Sequence, residues 1–382
     1  MVKGLMGGQA DDGFGPVADA FRAGFERGEE LGAAVSVGVG GRMVVDLWGG
    51  IADKRTGQPW TEETRTVVFS CTKGLLAICA YVLVEEGRLD LDAPIATYWP
   101  EFGQNGKEGI TGRVALSHRA GLPAFDRRLS RQEALAWTPV IEALEVQRPL
   151  WEPGTGHTYH AKTYGWLMGE VIRRITGVTP GTYFRQAVAK PLAARTRIGV
   201  PIAEQGDVAH IEPPPHVAAA APRSEVEERG LTLNGTIPFP EENGEMTYNA
   251  PDIRAAELPA TNAISTARDL ARIYGACVAD VDGVRLLHRP SIDDALRVQS
   301  SGAPLFGTDG PQRWGTGFML DSRPFRFMLG ARSFGHDGAG GLMAFADDSF
   351  GVGFGYVANQ MGGADEQRAN RLIVALRSCL PD

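Results

Sequence analysis

The chain has 382 residues, four of them cysteine, and a formal net charge of −8 with its acidic residues scattered along it. At about 100 to 200 residues per domain there is room for two or three packed units and a large core. No basic run of the kind that neutralises phosphates occurs and nowhere do about 18 apolar residues run consecutively, which argues against nucleic acid and a membrane as partners.

The opening MVKGLMGGQADDGFG lacks the apolar stretch of a secretory signal, so a soluble, cytoplasmic protein is expected. Residues 16 to 29 carry apolar positions at 3.6-residue spacing and predict an amphipathic helix. AAVSVGVGGRMVVDLWGG then predicts two strands joined through Gly40 and Gly41. Residues 70 to 86 predict a buried helix ended by Gly87. From about 98 to 250 helices and loops are expected, among them YGWLMGEVIRRITG with Gly177 as its C-cap. Residues 203 to 258 are rich in proline and charge, with Pro213, Pro214 and Pro215 in a row, and predict a long ordered loop or a lid. STARDLARIYGACV predicts a helix capped by Ser265 or Thr266 with Asp269 following. Three late strands, FRFMLGA, GLMAFADD and GVGFGYVAN, precede a closing helix, DEQRANRLIVALRSCL. Strands at both ends imply a chiefly antiparallel sheet whose halves meet in space.

The four cysteines form no C-x-x-C pair. On one helix Cys71 and Cys79 stand roughly 12 Å apart along the axis, beyond the 7 Å or so a disulfide spans. Neither disulfides nor a metal site are expected.

VVFSCTKGLL, residues 67 to 76, sets Lys73 three positions after Ser70 inside an otherwise apolar run. Residues i and i+3 share a helix face, with Cβ atoms about 5 to 6 Å apart, so the ammonium reaches the hydroxyl. A serine is a weak nucleophile until a base or a positive field helps remove its proton. A helix N-terminus adds a dipole and free N–H groups that favour negative charge. Taken alone, the same pattern also fits a helix-capping serine and a lysine reaching solvent.

Two further stretches bear on the choice. WEPGTGHTYHAKTYGWLMGEVIRRITG places Tyr159 just before an amphipathic helix, and RSFGHDGAGGLMAFADD places His336-Asp337-Gly338 between a strand ending near Phe334 and one starting at Gly341. In this order, with VFSCTKG, they resemble the active-site set of the serine β-lactamase and penicillin-binding-protein superfamily. The chain is most similar to the family VIII carboxylesterases, which share the class C β-lactamase fold. EEGRLDLDAPIATYWPEF, ALSHRAGLP and STARDLAR resemble landmarks of the same family, so the likeness spans nearly the whole chain.

The resemblance implies that Ser70 is the acylated nucleophile, Lys73 its partner, and Tyr159 the tyrosine that shares proton transfer with the lysine. It implies an oxyanion hole made by the backbone N–H groups of Ser70 and Ala339. A phenol titrates near pH 10 and serves as a base only beside positive charge, which Lys73 would supply. Two departures from the lactamase pattern bear on substrate. His336-Asp337-Gly338 stands where lactamases carry Lys-Thr-Gly, removing a cation for the drug carboxylate, and Ala161 stands where the tyrosine motif ends in asparagine, removing an amide. His336 is expected to tune the site or bind substrate with Asp337 and Gly338. No G-x-S-x-G occurs, so the α/β-hydrolase elbow is not the mechanism.

Other residues have plainer readings. His118 satisfies backbone groups in a turn. His160 either lines the cleft or faces solvent. Trp166 and Met168 belong to the core, and RSEVEERG is an exposed loop face. The expected fold is α/β of the α+β type, β-lactamase-like, with an antiparallel sheet flanked by helices. Residues 1–97 and 250–382 would form the α/β domain and 98–249 a mainly helical inserted domain. The expected function is a serine carboxylesterase hydrolysing small, short-chain acyl esters without a metal or cofactor. Alternatives are a β-lactamase or D-amino-acid peptidase of the same fold, and a catalytically silent binding or scaffold protein. The oligomeric state is left open.

Overall fold

In the computed structural model, which describes residues 6–215, 223–307, 310, 312–324, 326–363 and 366–381, thirteen short strands alternate with helices among those residues. In chain order the strands are β1 (Met6–Ala10), β2 (Gly32–Val39), β3 (Arg42–Asp53), β4 (Gln58–Pro59), β5 (Thr66–Val67), β6 (Arg197–Ile198), β7 (Ala263–Ser265), β8 (Ser300–Gly302), β9 (Gln312–Trp314), β10 (Met319–Leu320), β11 (Ser333–Gly338), β12 (Leu342–Asp347) and β13 (Val352–Ala358).

The main sheet runs β1-β3-β2-β13-β12-β11-β10-β9-β8, with β4 on the flank of β3, and its ladders are antiparallel. Its two halves meet where β2 pairs with β13, Val35 opposite Tyr356. β5, β7 and β6 form a separate small sheet beneath the start of the buried helix Cys71–Glu85. β2 and β3 make the predicted hairpin, with Gly40 and Gly41 at φ 57° and 85°, where glycine alone is unstrained.

Helices cover both faces of the sheet. On one, Gly15–Glu26 and Arg368–Ser378 pack Val17, Phe21, Leu372 and Leu376 against Phe345 and Phe354. On the other lies Ala267–Val278, capped by Thr266, whose hydroxyl accepts from Asp269 N at 3.0 Å. Gly353 and Gly355 of β13 bring sheet and helix close: a Cβ on either would lie 2.1 and 2.3 Å from the carbonyls of Ala271 and Ala267. Those glycines are spacers, which is why GVGFGYVAN alternates glycine with large apolar residues.

Cys71–Glu85 is apolar around most of its circumference and buries Leu75, Leu76, Ile78, Tyr81 and Leu83. A helix of that kind belongs in a core. Its neighbour Thr163–Thr176 buries Trp166, Leu167 and Met168 and ends at Gly177 in the left-handed conformation, φ 76°. No helix among the described residues is long and apolar enough to cross a membrane.

Four local expectations are corrected. FRFMLGA is not a strand among its described residues (Phe325 lies outside them): Met328 N donates to Asp321 Oδ1 at 2.8 Å and Arg323 takes Met328 O, so side chains occupy the groups a ladder would use. The ladder begins at Ser333, and His336-Asp337-Gly338 therefore lies within β11 rather than between strands. RSEVEERG is not a loop: Ser224 caps a helix, Glu225–Thr232, by accepting from Glu227 N at 3.2 Å. Accordingly, the segment 203–258 carries helical turns and is no bare loop, while its residues 216–222, like the start MVKGL, lie outside those described.

Candidate active site

Ser70 stands at the N-terminus of Cys71–Glu85, immediately after Phe69, a buried aromatic held at φ 45°. A non-glycine residue there costs on the order of 1–3 kcal/mol, so the surroundings must impose it. Val68 N donates to Ala263 O at 2.8 Å, and the Phe69 ring packs edge-on against Phe239 and Tyr248. Thr72 Oγ1 closes the turn by donating to Phe69 O at 2.5 Å while accepting from Ala263 N at 2.9 Å. The serine is thus presented at a strained, braced corner.

Lys73 is fully buried, and its Nζ has three oxygen neighbours: Ser70 Oγ at 3.2 Å, Ala161 O at 2.8 Å and Ala260 O at 3.0 Å. Both carbonyls accept only. A neutral amine spends its two hydrogens on them, and its lone pair is left facing Ser70. Burial drives the Lys73 amine well below the ordinary lysine range, and the charge of Lys162 pushes the same way against the opposing pull of Asp337. Lys162 is itself buried and donates to Tyr248 OH at 2.9 Å.

Tyr159 OH lies 2.8 Å from Ser70 Oγ, and Lys73 Nζ sits 4.7 Å from the centre of its ring. The ring stacks on Trp314, 5.6 Å away and tilted by 19°. Sequence reasoning missed Trp314. It comes from β9, 155 residues away in the chain, and no local pattern marks it.

β11 brings the third motif. Cys71 Sγ donates to His336 O at 3.2 Å, and Gly338 comes so near the serine corner that a Cβ there would lie 2.6 Å from Val68 O. Ser70 and Ala339 both border the cleft, and neither N–H has a backbone acceptor among the described residues. Asp337 lines the cleft too, its Oδ2 2.7 Å from Arg326 Nε and its Oδ1 3.3 Å from His336 Nδ1. Burial alone would raise the Asp337 carboxyl, but the His336 hydrogen bond and the Arg326 charge outweigh it and hold it well below the usual carboxylate range.

The histidines sit behind this wall. His336 is 1 % exposed and does not border the cleft; its Nδ1 faces Asp337 O at 2.7 Å, and burial lowers its affinity for a proton. His160 neither lines the cleft nor faces solvent. It is fully buried, Leu122 N donates to its Nε2 at 3.0 Å, and its Nδ1–H donates to Thr158 O at 2.6 Å. Burial first, offset in part by that bond, brings it down to about 4, so it is neutral. His118 accepts from His160 N at 3.1 Å while its carbonyl accepts from Thr158 N. These two rings hold the Tyr159 segment in place.

The cleft beside Ser70 has a volume of about 350 Å³ and is walled by Tyr159, Trp314, Phe306, Leu231 and the Gly338–Gly341 turn.

Comparison with known proteins bears on the family and the fold. The family model described as Beta-lactamase matches residues 17–377. The esterase/beta-lactamase LipL of Mycobacterium tuberculosis is 34 % identical over 362 residues, 93 % of this chain and 83 % of that one. A crystal structure of a family VIII carboxylesterase superposes with a TM-score of 0.89 at 33 % identity, covering 98 % of this chain and 100 % of the other. A penicillin-binding-protein homologue from Caulobacter crescentus gives a TM-score of 0.89 at 34 % identity with the same coverage. Matched by its family model from residue 17 to residue 377, and sharing its strand-and-helix plan with these structures, the chain belongs to the beta-lactamase family.

Proposed function

We propose that this chain is a serine carboxylesterase that hydrolyses small, short-chain acyl esters through an acyl-enzyme on Ser70. The observation that carries the reading is the placement of Ser70 Oγ between Lys73 Nζ, at 3.2 Å, and Tyr159 OH, at 2.8 Å, with the lysine's other contacts both acceptors. In this reading the Ser70 proton passes to neutral Lys73 as Oγ bonds to the ester carbonyl carbon. The N–H groups of Ser70 and Ala339 hold the oxyanion, each such donor contributing on the order of 3 kcal/mol. The C–O bond to the alcohol then breaks. The leaving alkoxide takes the Tyr159 proton, and the Lys73 proton restores the tyrosine. Water repeats the sequence on the acyl-enzyme and releases the acid.

Esters rather than β-lactams are favoured by what the cleft lacks. The third motif has His336, buried behind the cleft wall, where a lysine would hold a drug carboxylate, and Ala161 has no amide for an acylamino group. Losing one charged and one neutral hydrogen bond costs about 2 to 4 kcal/mol, or roughly 30- to 1000-fold in specificity. A weak lactamase side activity is consistent with the paired name of the Mycobacterium tuberculosis relative. The test is a series of p-nitrophenyl esters of increasing chain length beside a chromogenic cephalosporin. Acetate or butyrate should show the higher kcat/KM. Faster turnover of the cephalosporin than of every short ester would replace this reading with the lactamase one.

A further inference from the structure

The helix Glu225–Thr232 closes one side of the cleft, with Glu227 and Leu231, one turn apart, both facing it. It is firmly seated. Arg229 donates to Phe125 O and pairs with Asp126 at 3.1 Å, and Gly230 backs onto Pro123 so closely that a Cβ would lie 2.8 Å from the proline carbonyl. Glu227 is therefore held at the cleft wall by its own helix.

Each of the other ionised side chains bordering the cleft has a counter-charge. Asp337 pairs with Arg326 at 2.7 Å, Glu366 with Arg368 at 2.7 Å, and Arg223 with Glu228 at 3.4 Å. Glu227 differs. Its Oε2 is buried and has no hydrogen-bond partner, and no cation lies within ion-pair distance of it among the described residues. Across from it runs the 302–307 loop, where a Cβ built on Gly307 would lie 3.7 Å from the Glu227 carboxylate. Buried polar atoms in native proteins are almost always paired, so an orphaned carboxylate oxygen at the wall of a substrate cleft marks where a donor belongs. The aromatic rings of Tyr159, Phe306 and Trp314 line the same space, and aromatic faces attract cations.

We infer that Glu227 selects esters carrying a protonated amine a few bonds from the scissile carbonyl, the ammonium N–H donating to the free carboxylate oxygen. The inference rests on the esterase reading above and narrows it to a substrate class.

Isosteric pairs test it. On the alcohol side these are 2-(dimethylamino)ethyl acetate and 3-methylbutyl acetate; on the acyl side, the p-nitrophenyl esters of 4-(dimethylamino)butyric and 5-methylhexanoic acids. Near pH 7 the amine member of at least one pair should exceed its neutral partner in kcat/KM by about 10- to 100-fold, the range of a charge-assisted hydrogen bond. Glu227→Gln should bring that ratio close to one, through KM more than kcat. A second measurement needs no variant: 2-(dimethylamino)ethanol or 4-(dimethylamino)butyrate should inhibit the unaltered protein more strongly than 3-methylbutanol or 5-methylhexanoate. Hydrolysis of both members at equal rates, with equal inhibition, overturns the inference and leaves the esterase reading standing. So does an amine preference that Glu227→Gln does not change. If no ester of either pair is turned over, the esterase reading fails and this inference with it.

Discussion

The thiol of Cys71 donates to the backbone carbonyl of His336 across 3.2 Å, tying the residue after Ser70 to the strand that carries the third motif. Two residues further along that strand, Gly338 leaves 2.6 Å between Val68 O and the position a Cβ would take. The distance between the serine corner and the Ala339 turn is thus set by an absent side chain. Any added atom must push the two apart.

Gly338→Ala should therefore fold but misplace the Ala339 N–H relative to that of Ser70. Loss of one oxyanion donor costs about 100- to 1000-fold in kcat. Steady-state hydrolysis of p-nitrophenyl acetate, with KM nearly unchanged, is the readout. A kcat within about twofold of the parent would show that the Ala339 N–H is not an oxyanion donor.

The pH dependence follows from Lys73. Burial and the neighbouring Lys162 lower its pKa, so the neutral, proton-accepting form is reached well below the 10.5 of a free lysine. With Lys73 as the proposed base, activity would require that form, so kcat/KM should rise with pH through a single acid limb and stay high above it. Burial lowers the proton affinity of His118, His160 and His336 as well, and none of the three borders the cleft, so the limb is assigned to Lys73. Lys73→Arg, which cannot deprotonate, should be inactive by several orders of magnitude at every pH. Substantial activity in Lys73→Arg would move the base to Tyr159.

A third prediction concerns stability. Asn359 is wholly buried at the end of β13; its Oδ1 accepts from Gly32 N at 3.0 Å and its Nδ2 faces the carbonyls of Ile51, Ala52 and His210 at 3.1, 3.0 and 3.0 Å. One side chain so joins β2, β3 and β13 to the 203–258 segment at His210. Asn359→Leu keeps the branching at Cγ but is bulkier and removes every side-chain hydrogen bond, at a cost of about 3 to 5 kcal/mol. Urea denaturation should show the midpoint fall with an unchanged slope. A loss below about 1 kcal/mol would mean that water replaces the amide there.

What the sequence made legible was local and periodic. The apolar run ended by Gly87, the Gly40-Gly41 hairpin, the Thr266 cap and the Gly177 stop are one-dimensional signals, and each has its element in the fold. FRFMLGA misled because its composition suits a strand while its backbone groups are taken by Arg323 and Asp321, partners that no alternation of residues announces. RSEVEERG misled by its charge, although Ser224 followed three residues later by Glu227 was a helix-start signal. At the site, Ser70, Lys73 and Tyr159 were visible as motifs. Trp314, Arg326 and the unpaired Glu227 were not, since each reaches the cleft from a different part of the chain and only packing brings them there.

The last prediction concerns how Lys73 and Tyr159 share the work. Both touch the same oxygen, Ser70 Oγ, and the lysine nitrogen lies 4.7 Å from the centre of the tyrosine ring. Groups that pass one proton along a single path fail together: removing either breaks the path, and removing the second breaks nothing further. Lys73→Ala should lose several orders of magnitude in kcat, and Tyr159→Phe a comparable amount. The double variant should then be little worse than either single one, whereas independent contributions would multiply. Thermal unfolding must accompany the kinetics, because Lys73→Ala leaves the carbonyls of Ala161 and Ala260 without their donor. If the folded double variant lost the product of the two single losses, Lys73 and Tyr159 would be acting on separate steps. The proton path from serine to leaving group would then have to run through only one of them.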